Sequence, residues 1–321
     1  MPENTNQLSG FLIIDKPEGL TSHDVVDQVR KIIRVGLPPE ALAKVGHAGT
    51  LDPFATGVLL VAIGSATRLL EYAKGFSKIY EVEMTLGATS DTDDKTATIT
   101  PKSSRIPDLS EIERTLSQFL GPIQQIPPIY SAVKVRGKKL YEIARSGNPA
   151  DLSAVASARA EAQAKAGERA RSVTIHSITL LSYQYPLVQC EVHCSSGTYI
   201  RALARDIGEN LGIGSYVSHL RRKVIHKFHI TEATPLEKLS PDILTAALKP
   251  PEALVEHLQP MALNSENVAK FKRGQAIEPS GKTLTDTPLA IFDESDHFVG
   301  IGQVNAGNSL LHPQKVLPVD F

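Results

Sequence analysis

One carboxylate in a glycine-rich segment is the residue of this chain best suited to chemistry. The segment runs from Lys44 to Leu59, and Asp52 stands directly before a proline in it. Gly46 and Gly49 permit backbone angles that other residues avoid, and Pro53 favours an extended conformation at Asp52. We therefore expect no regular element before Pro53. The Asp52 carboxylate would then face a ligand from a loop, where it can act as a nucleophile or assist an elimination.

The same residues also have an interpretation without function. Asp52 can cap a helix that begins at Pro53, because Asp is a favoured N-cap and Pro a favoured first helical residue. Asp, Gly and Pro are ordinary turn residues, so their spacing alone leaves both interpretations open.

Motif-like blocks are spread over most of residues 10–230. They are Lys16–Asp24, Lys44–Leu59, Ser77–Glu81 with Leu86–Asp93, Gln125–Lys134, and Ser196–Asp206 followed by His219–Arg222. In this order they resemble the motifs of the TruB family, the bacterial tRNA pseudouridine synthases. The resemblance predicts an isomerase that converts the T-arm uridine at position 55 of tRNA to pseudouridine.

The resemblance implies a catalytic role for three residues. Asp52 corresponds to the single catalytic aspartate of the family, and Arg201 to its active-site arginine. An arginine close to Asp52 would favour the ionised carboxylate. Tyr80 resembles the tyrosine that stacks on the target base and is proposed to assist proton removal at C5. Without the resemblance, Arg201 would be interpreted as a surface helix residue and Tyr80 as a core residue of a strand.

Further residues match positions that contact the substrate in the family. The target base must leave the stacked loop before its glycosidic bond can be reached. His47 resembles the histidine that fills the vacated space, and Tyr199 and Leu220 match positions that line the uracil pocket. From the residues alone, His47 would be a loop histidine, and the other two would be core. Lys16 and Asp24 match motif positions of a more structural kind.

The reaction that the resemblance implies needs neither a cofactor nor a metal. The bond between C1′ of ribose and N1 of uracil breaks, the base turns, and C5 is joined to C1′. Nothing is oxidised and no group enters from outside. Spacing typical of a metal site is also missing from the His, Cys, Asp and Glu residues of the sequence. We expect the T-arm stem-loop of tRNA as the partner, no obligatory protein or guide RNA, and a monomer.

Three alternatives remain at this point. The run Asp91–Asp94 superficially suggests an aspartyl phosphatase or a cation-binding loop, but it lacks the Gly and the final Glu of a calcium loop. A catalytically silent RNA-binding or RNA-folding protein would share the fold, although Asp52, Tyr80 and Arg201 are all present. The third is a relative that works within a guide-RNA particle, which the bacterial-type blocks and the short C-terminal part disfavour.

Composition limits the class of protein. The chain has 321 residues, a length typical of two domains, and a net charge of −1. No apolar run approaches the ~20 residues that cross a bilayer, and the polar N-terminus does not resemble a signal peptide. We therefore expect a cytoplasmic protein with no membrane association. Cys190 and Cys194 alternate with polar residues, so both are expected to pack on the buried face of a strand.

The distribution of charge is more informative than its sum, because most nucleic-acid-binding domains are basic. One basic cluster contains Lys134, Arg136, Lys138, Lys139 and Arg145. A second contains Arg201, Arg205, Arg221, Arg222, Lys223 and Lys227. Such clusters can neutralise RNA phosphates and make binding depend on salt concentration. Charge runs of this kind are also common on solvated helix faces.

Hydrophobic periodicity predicts the elements that must position these residues. We expect strands at residues 11–14, 80–86, 173–181, 187–194 and 223–230. Helices are expected after a capping box at Thr21 and Asp24, after Ser110, and from Ile200 to Leu211. Arg201 and Arg205 lie one helical turn apart and should share a face.

These elements predict an α+β fold with a mixed, mainly antiparallel sheet. Residues 1–250 would form the pseudouridine synthase domain, with an alanine-rich insertion at 150–170. After Pro250, short alternating strands separated by Gly, Asn and Pro predict a small β-barrel at 251–321. The resemblance identifies this part as a PUA-like RNA-binding domain.

Overall fold

The computed structural model describes residues 8–36, 43–128, 134–135, 138–139, 170–279, 287–305, 307 and 309–317. The predicted insertion lies outside these residues except for residue 170. Arg136 and Arg145 of the first basic cluster also lie outside the described residues, as do the side chains of the three lysines in that cluster.

Among the described residues, the α-helices are mostly short. In chain order they are α1 (Ser22–Gly36), α2 (Leu70–Ala73), α3 (Leu109–Ser117), α4 (Ile200–Asn210), α5 (Pro241–Ala247) and α6 (Ser265–Lys272). Short 3₁₀-helices occur at Gly64–Leu69, Ile230–Glu232, Leu236–Lys238 and Pro251–Leu254.

Strands make up most of the regular structure. They are β1 (Gly10–Lys16), β2 (Val45–Ala48), β3 (Thr56–Ile63), β4 (Lys78–Leu86), β5 (Ala88–Ser90), β6 (Ile99–Pro101), β7 (Gly121–Gln125), β8 (Lys134–Val135), β9 (Lys138–Lys139), β10 (Arg171–Gln184), β11 (Leu187–Cys194), β12 (Ser215–Ile225), β13 (Phe228–His229), β14 (Thr234–Pro235), β15 (Gln259–Leu263), β16 (Pro288–Asp293), β17 (Phe298–Val304) and β18 (Leu311–Val316).

The chain forms two compact units that do not follow the sequence order. The first unit comprises Met1–Pro53, Val58–Gly75 and Thr231–Phe321, and the second comprises Phe54–Gly57 and Phe76–Ile230. Strand β3 therefore begins in the second unit and continues in the first. This division into units does not coincide with the predicted domain boundary between residues 250 and 251, which stays a prediction.

The second unit is built on a sheet in the order β12-β4-β11-β10-β7, with antiparallel neighbours throughout. Thr56 and Gly57 extend it by pairing in parallel with Arg221 and Arg222 of β12. A Cβ at Gly57 would lie 2.2 Å from the carbonyl oxygen of Arg222, and its φ is +104°. Only glycine therefore allows this close parallel pairing. The sheet is mixed and mainly antiparallel, as predicted.

The first unit packs α1 against strands. β1 lies between β14 and β3, and β2 pairs antiparallel with β3. The apolar stripe of α1, made of Val25, Val26, Val29 and Ile33, is buried on apolar residues of β1 and β3. The capping box at the start of α1 is reciprocal, because the amide of Thr21 donates to Asp24 (2.7 Å) and the amide of Asp24 donates to the Thr21 hydroxyl (3.1 Å).

The C-terminal part of the first unit has its own small sheet, in the order β15-β16-β17-β18. Its core contains Phe271 of α6 together with apolar residues of the four strands. β16 and β17 are two of the short alternating strands that the sequence predicts after Pro250. This confirms a small β domain at the C-terminal end.

The segment before Asp52 differs from our expectation. β2 is a regular strand, although we expected none before Pro53, and no helix begins at Pro53 because the chain enters β3 at Thr56. Gly46 and His47 pair with Ala62 and Val61 of β3, so a long-range partner overrides the local glycine signal.

Two predicted element starts were also wrong. Asp108, not Ser110, caps α3, since its carboxylate accepts a hydrogen bond from the amide of Glu111 at 2.8 Å. β12 begins at Ser215 rather than at residue 223, because pairing with β4 extends the strand through a segment without clear alternation. In the part of the chain that the structure describes, no helix is long and apolar enough to cross a membrane.

Candidate active site

Asp52 lies in the turn between β2 and β3. One serine forms hydrogen bonds with both the amide and the carbonyl group of the preceding residue, Leu51. The hydroxyl of Ser22 accepts a hydrogen bond from the amide of Leu51 (2.8 Å) and donates one to its carbonyl (3.2 Å). Ser22 is the first residue of α1, and both it and Leu51 are buried. The buried start of α1 thereby fixes the backbone on the N-terminal side of Asp52.

The residue after Asp52 is held by the segment that precedes α1. The carbonyl of Pro53 accepts from the amide of Gly19 (2.8 Å) and from Nζ of Lys16 (3.3 Å). Lys16 is fully buried and also donates to the carbonyls of Pro17 (2.8 Å) and Leu20 (2.7 Å). Its ammonium group thus ties two loops of the first unit together, which agrees with the structural role expected for this position.

The serine contact yields a testable prediction. Ser22→Ala leaves the amide of Leu51 without its hydroxyl partner in a buried place, which costs about 1–3 kcal/mol. We expect a lower melting temperature. In the tRNA reaction that the family resemblance implies, we also expect a slower single-turnover step at saturating substrate with unchanged affinity, because the backbone of Asp52 is less well fixed.

A matched control is Ser215→Ala. Ser215 is equally buried, but its hydroxyl has no hydrogen-bond partner among the described residues. This control should leave both the melting temperature and the turnover rate close to the wild-type values. A Ser22→Ala protein that loses stability but keeps the wild-type single-turnover rate would refute the positioning role.

His47 lies on β2, in the same unit as Asp52. It is half-buried and pairs with Val61 of β3. The interpretation as a loop histidine is therefore wrong, since its backbone belongs to a sheet.

In the second unit, Arg201 lies on α4 and is only 4% exposed. Its guanidinium lies 3.2 Å from the Asp94 carboxylate and donates to the carbonyl of Thr92 at 2.9 Å. Asp94 is 3% exposed, and it also accepts hydrogen bonds from the amide of Thr96 (2.9 Å) and the hydroxyl of Thr92 (2.7 Å). The interpretation of Arg201 as a surface helix residue is wrong.

Arg205, one turn further along α4, contacts the same loop at residues 92–94. It lies 2.9 Å from Asp93, 2.8 Å from Asp206, and donates to the carbonyl of Ile126 at 3.0 Å. Burial raises the pKa of Asp93 to about 6, against the lowering effect of Arg205 and Arg201. The two arginines share a face, as predicted.

Two carboxylates of the acidic run Asp91–Asp94 thus form ion pairs with arginines of α4. Asp93 has a φ of +59°, and Asp94 forms a bridge to Val217 of β12. The phosphatase and cation-loop interpretations do not fit these contacts, because the Asp93 and Asp94 carboxylates bind guanidinium groups. The run instead anchors α4 against the sheet.

A pair of neighbouring substitutions tests this arrangement. Asp94→Asn keeps the shape of the side chain but leaves the buried Arg201 without this charge partner, a loss that typically costs ~3–5 kcal/mol. Asp93→Asn removes the partner of the more exposed Arg205 and should cost only about 1 kcal/mol. We expect Asp94→Asn to lower the melting temperature and the single-turnover rate much more than Asp93→Asn. Equal effects of the two variants would contradict a specific role of Asp94 in holding Arg201.

The remaining expected site residues line the sheet and the start of α4. Tyr80, on β4, is 7% exposed and points to the same face as its alternating buried neighbours. Leu220 is buried on β12 and pairs with Val82. Tyr199 is the N-cap residue of α4.

The backbone of Tyr199 is fixed by the buried side-chain amide group of Gln125. The side chain of Gln125 accepts from the amide of Tyr199 (2.8 Å) and donates to its carbonyl (3.0 Å). Gln125 is 1% exposed. The contact ties the end of β7 to the start of α4, and sequence reasoning missed it because 74 residues separate the pair.

Two buried cations near Tyr80 were also unexpected. Arg222 is 1% exposed, so it does not belong to an exposed basic cluster. Burial, followed by the charge of Arg222, lowers the pKa of Lys78 to about 8. The second predicted cluster therefore mixes buried arginines, Arg201 and Arg222, with more exposed residues such as Lys227.

The predicted residues divide between the two units. His47 and Asp52 belong to the first, and Tyr80, Tyr199, Arg201 and Leu220 belong to the second. Within each unit they lie on elements whose backbone is fixed by the contacts above. Among the described residues, no group of three or more His, Cys, Asp or Glu side chains is placed to hold a metal ion.

Three family models match successive parts of the chain. "TruB family pseudouridylate synthase (N terminal domain)" matches residues 38–200. "tRNA pseudouridylate synthase B C-terminal domain" matches residues 201–263. "Pseudouridine synthase II TruB, C-terminal" matches residues 260–317.

Two relatives that match nearly the whole chain are named tRNA pseudouridine synthase B. The tRNA pseudouridine synthase B of Trichormus variabilis is 37% identical over 316 residues, which cover 96% of this chain and 98% of the relative. That of Syntrophomonas wolfei is 35% identical over 321 residues, covering 98% and 100%.

Two solved structures of similar fold come from assemblies with several components. A chain of a Cbf5-Nop10-Gar1 complex has a TM-score of 0.66 and is 27% identical, covering 92% of this chain and 78% of that chain. A chain of an H/ACA RNP bound to a substrate RNA containing 2′-deoxyuridine has a TM-score of 0.68 and is 25% identical, covering 97% and 86%.

Proposed function

The chain belongs to the TruB family of pseudouridylate synthases, and we propose that it isomerises uridine 55 in the T-arm of tRNA to pseudouridine. The observation that carries the proposal is the setting of Asp52. One carboxylate stands in a turn whose preceding residue is held by Ser22 and whose following residue is held by Lys16 and Gly19. A reacting group gains most from such fixed positioning.

In the proposed reaction, Asp52 acts at the sugar as the nucleophile: its carboxylate bonds to C1′ as the bond to N1 breaks, and it is displaced again when C5 bonds to C1′. The bond between C1′ and N1 breaks, the freed uracil turns, and a new bond joins C1′ to C5. The proton leaves C5 and N1 ends protonated, so substrate and product are isomers. Tyr80 stacks on the base and assists removal of the C5 proton, and Arg201 keeps the Asp52 carboxylate ionised. These roles rest on the family motifs, and the burial of both residues supports them.

We propose that the target base is extruded from the T-loop before the reaction. His47 then fills the space in the RNA stack, while Tyr199 and Leu220 line the pocket for uracil. The rigid backbone setting of Tyr199 supports this assignment, because a pocket wall must hold its position to select one base.

We further propose a cytoplasmic monomer that uses no guide RNA, protein partner, metal or cofactor. The higher identity to tRNA pseudouridine synthases B than to the guide-RNA particle proteins supports independent action. Residues 1–250 would carry the catalysis, and residues 251–321 would form a PUA-like RNA-binding domain. The separate core of the C-terminal sheet and the family model at residues 260–317 support that division.

One experiment tests the function directly. The purified protein is incubated with an unmodified tRNA transcript, without other proteins or RNA, and pseudouridine is mapped along the product. We expect full conversion at position 55 only. No pseudouridine at any position would favour a catalytically silent RNA-binding protein, and conversion that needs a guide RNA would overturn independent action.

A further inference from the structure

A cavity of about 540 Å³ lies within the first unit. Its walls come from α1, β2, the segment Gly64–Leu69 with α2, and β18. Among the described residues that line it, four side chains are cationic and one, Glu71, is a carboxylate; the four are Arg30, Arg68, Lys74 and Lys315. The chain as a whole has a net charge of −1, so this is a local concentration of positive charge.

The elements that carry these cations are joined to one another by hydrogen bonds and ion pairs. Arg30 lies 2.8 Å from Asp27 and donates to the carbonyl of Val45 at 2.9 Å, which fixes α1 to β2. Lys315 of β18 lies 2.8 Å from Glu71 of α2. Arg68 donates to the carbonyl of Val316 at 2.5 Å. The C-terminal sheet therefore contributes a wall and a charge to the same cavity as β2.

The pattern of charge fits a phosphate group. Arginine and lysine are the side chains that proteins use to bind phosphate oxygens. A volume of about 540 Å³ lies in the range of about 300–1,000 Å³ of sites for small ligands, so it has room for a nucleotide phosphate. The single carboxylate of the lining is already paired with Lys315, and the net charge of the lining favours an anion.

The position of His47 suggests where such an anion comes from. His47 lines the same cavity, together with its neighbours Val45 and Gly46 on β2. If His47 enters the RNA stack as proposed above, the RNA backbone must pass beside this cavity. We infer that the cavity binds one or two phosphates of the RNA strand next to the extruded uridine. This inference rests on the proposed function and adds a binding site to it.

The test uses the full chain with Lys74→Gln and Lys315→Gln combined. These are the cavity lysines, and Arg30 and Arg68 are kept because they hold the backbone of β2 and β18. The control is Lys31→Gln, which removes a charge from α1 at an exposed residue outside the cavity lining. Each protein is first shown to melt at the wild-type temperature. Binding of tRNA is then measured against salt concentration, and phosphate contacts are mapped by ethylation interference.

We expect the double variant to lower the salt slope of binding by about one to two, because each phosphate contact that is lost removes about one unit from the slope. Ethylation at one or two phosphates beside the target uridine should block binding of the wild-type and Lys31→Gln proteins, but no longer affect the double variant. Conversion at saturating tRNA should persist in the wild-type and Lys31→Gln proteins.

An interference pattern and salt slope equal to those of the wild type would overturn the inference. A titration with inorganic phosphate at constant ionic strength tests the alternative that the cavity binds a free anion and not an RNA phosphate. If inorganic phosphate binds the wild type but not the double variant, while the interference pattern is the same in both, the cavity takes a free anion and the RNA inference fails. A wild-type protein that binds tRNA through these phosphates yet forms no pseudouridine would refute the proposed function alone.

Discussion

Replacing Asp52 with asparagine is expected to abolish pseudouridine formation while tRNA binding stays close to the wild-type level. The amide keeps the shape of the side chain but cannot act as an anionic nucleophile. Leu51 and Pro53 are held through their backbone atoms, so the turn itself should be unchanged. The measurement is product formation in a long incubation, together with the dissociation constant for tRNA.

Asp242→Asn is the matched control, because it removes an exposed carboxylate from α5 of the same unit. It should leave product formation at the wild-type rate. If Asp52→Asn retains more than a small fraction of wild-type product, the assignment of Asp52 as the nucleophile is wrong.

The second large effect concerns Arg201. Arg201→Met removes the guanidinium that we propose keeps Asp52 ionised, and it also leaves the buried Asp94 without this partner. Loss of one member of a buried ion pair typically costs ~3–5 kcal/mol. We expect the single-turnover rate at saturating tRNA to fall by at least ~100-fold, which corresponds to ~3 kcal/mol of activation free energy. The affinity for tRNA should change far less.

Arg205→Met is the control that distinguishes a loss of catalysis from a weaker attachment of the loop at residues 92–94 to α4. Arg205 holds Asp93 in the same acidic run, so this variant also weakens the attachment of the loop to α4. It should lower the melting temperature with little change in the single-turnover rate at saturating tRNA. If Arg201→Met has an unchanged single-turnover rate, the proposed electrostatic role of Arg201 is falsified.

Elements that depend on local spacing could be predicted from the sequence. The apolar stripe of α1, its capping box, the alternation in β4 and β11, and the helix that carries Arg201 were all predicted, since these patterns involve residues only a few positions apart. The motif blocks identified the candidate residues and the family. Both cysteines are buried on β11, as their alternation indicated.

The groups that hold the candidate residues in place could not be predicted, because they come from distant parts of the chain. β2 forms because it pairs with β3, and Ser22 reaches Leu51 across 29 positions. Arg201 binds the carbonyl of Thr92 across 109 positions, beside the carboxylate of Asp94. No local pattern encodes such partners. A buried polar group must find one, and the partner that lies within reach depends on how the whole sheet brings distant segments together.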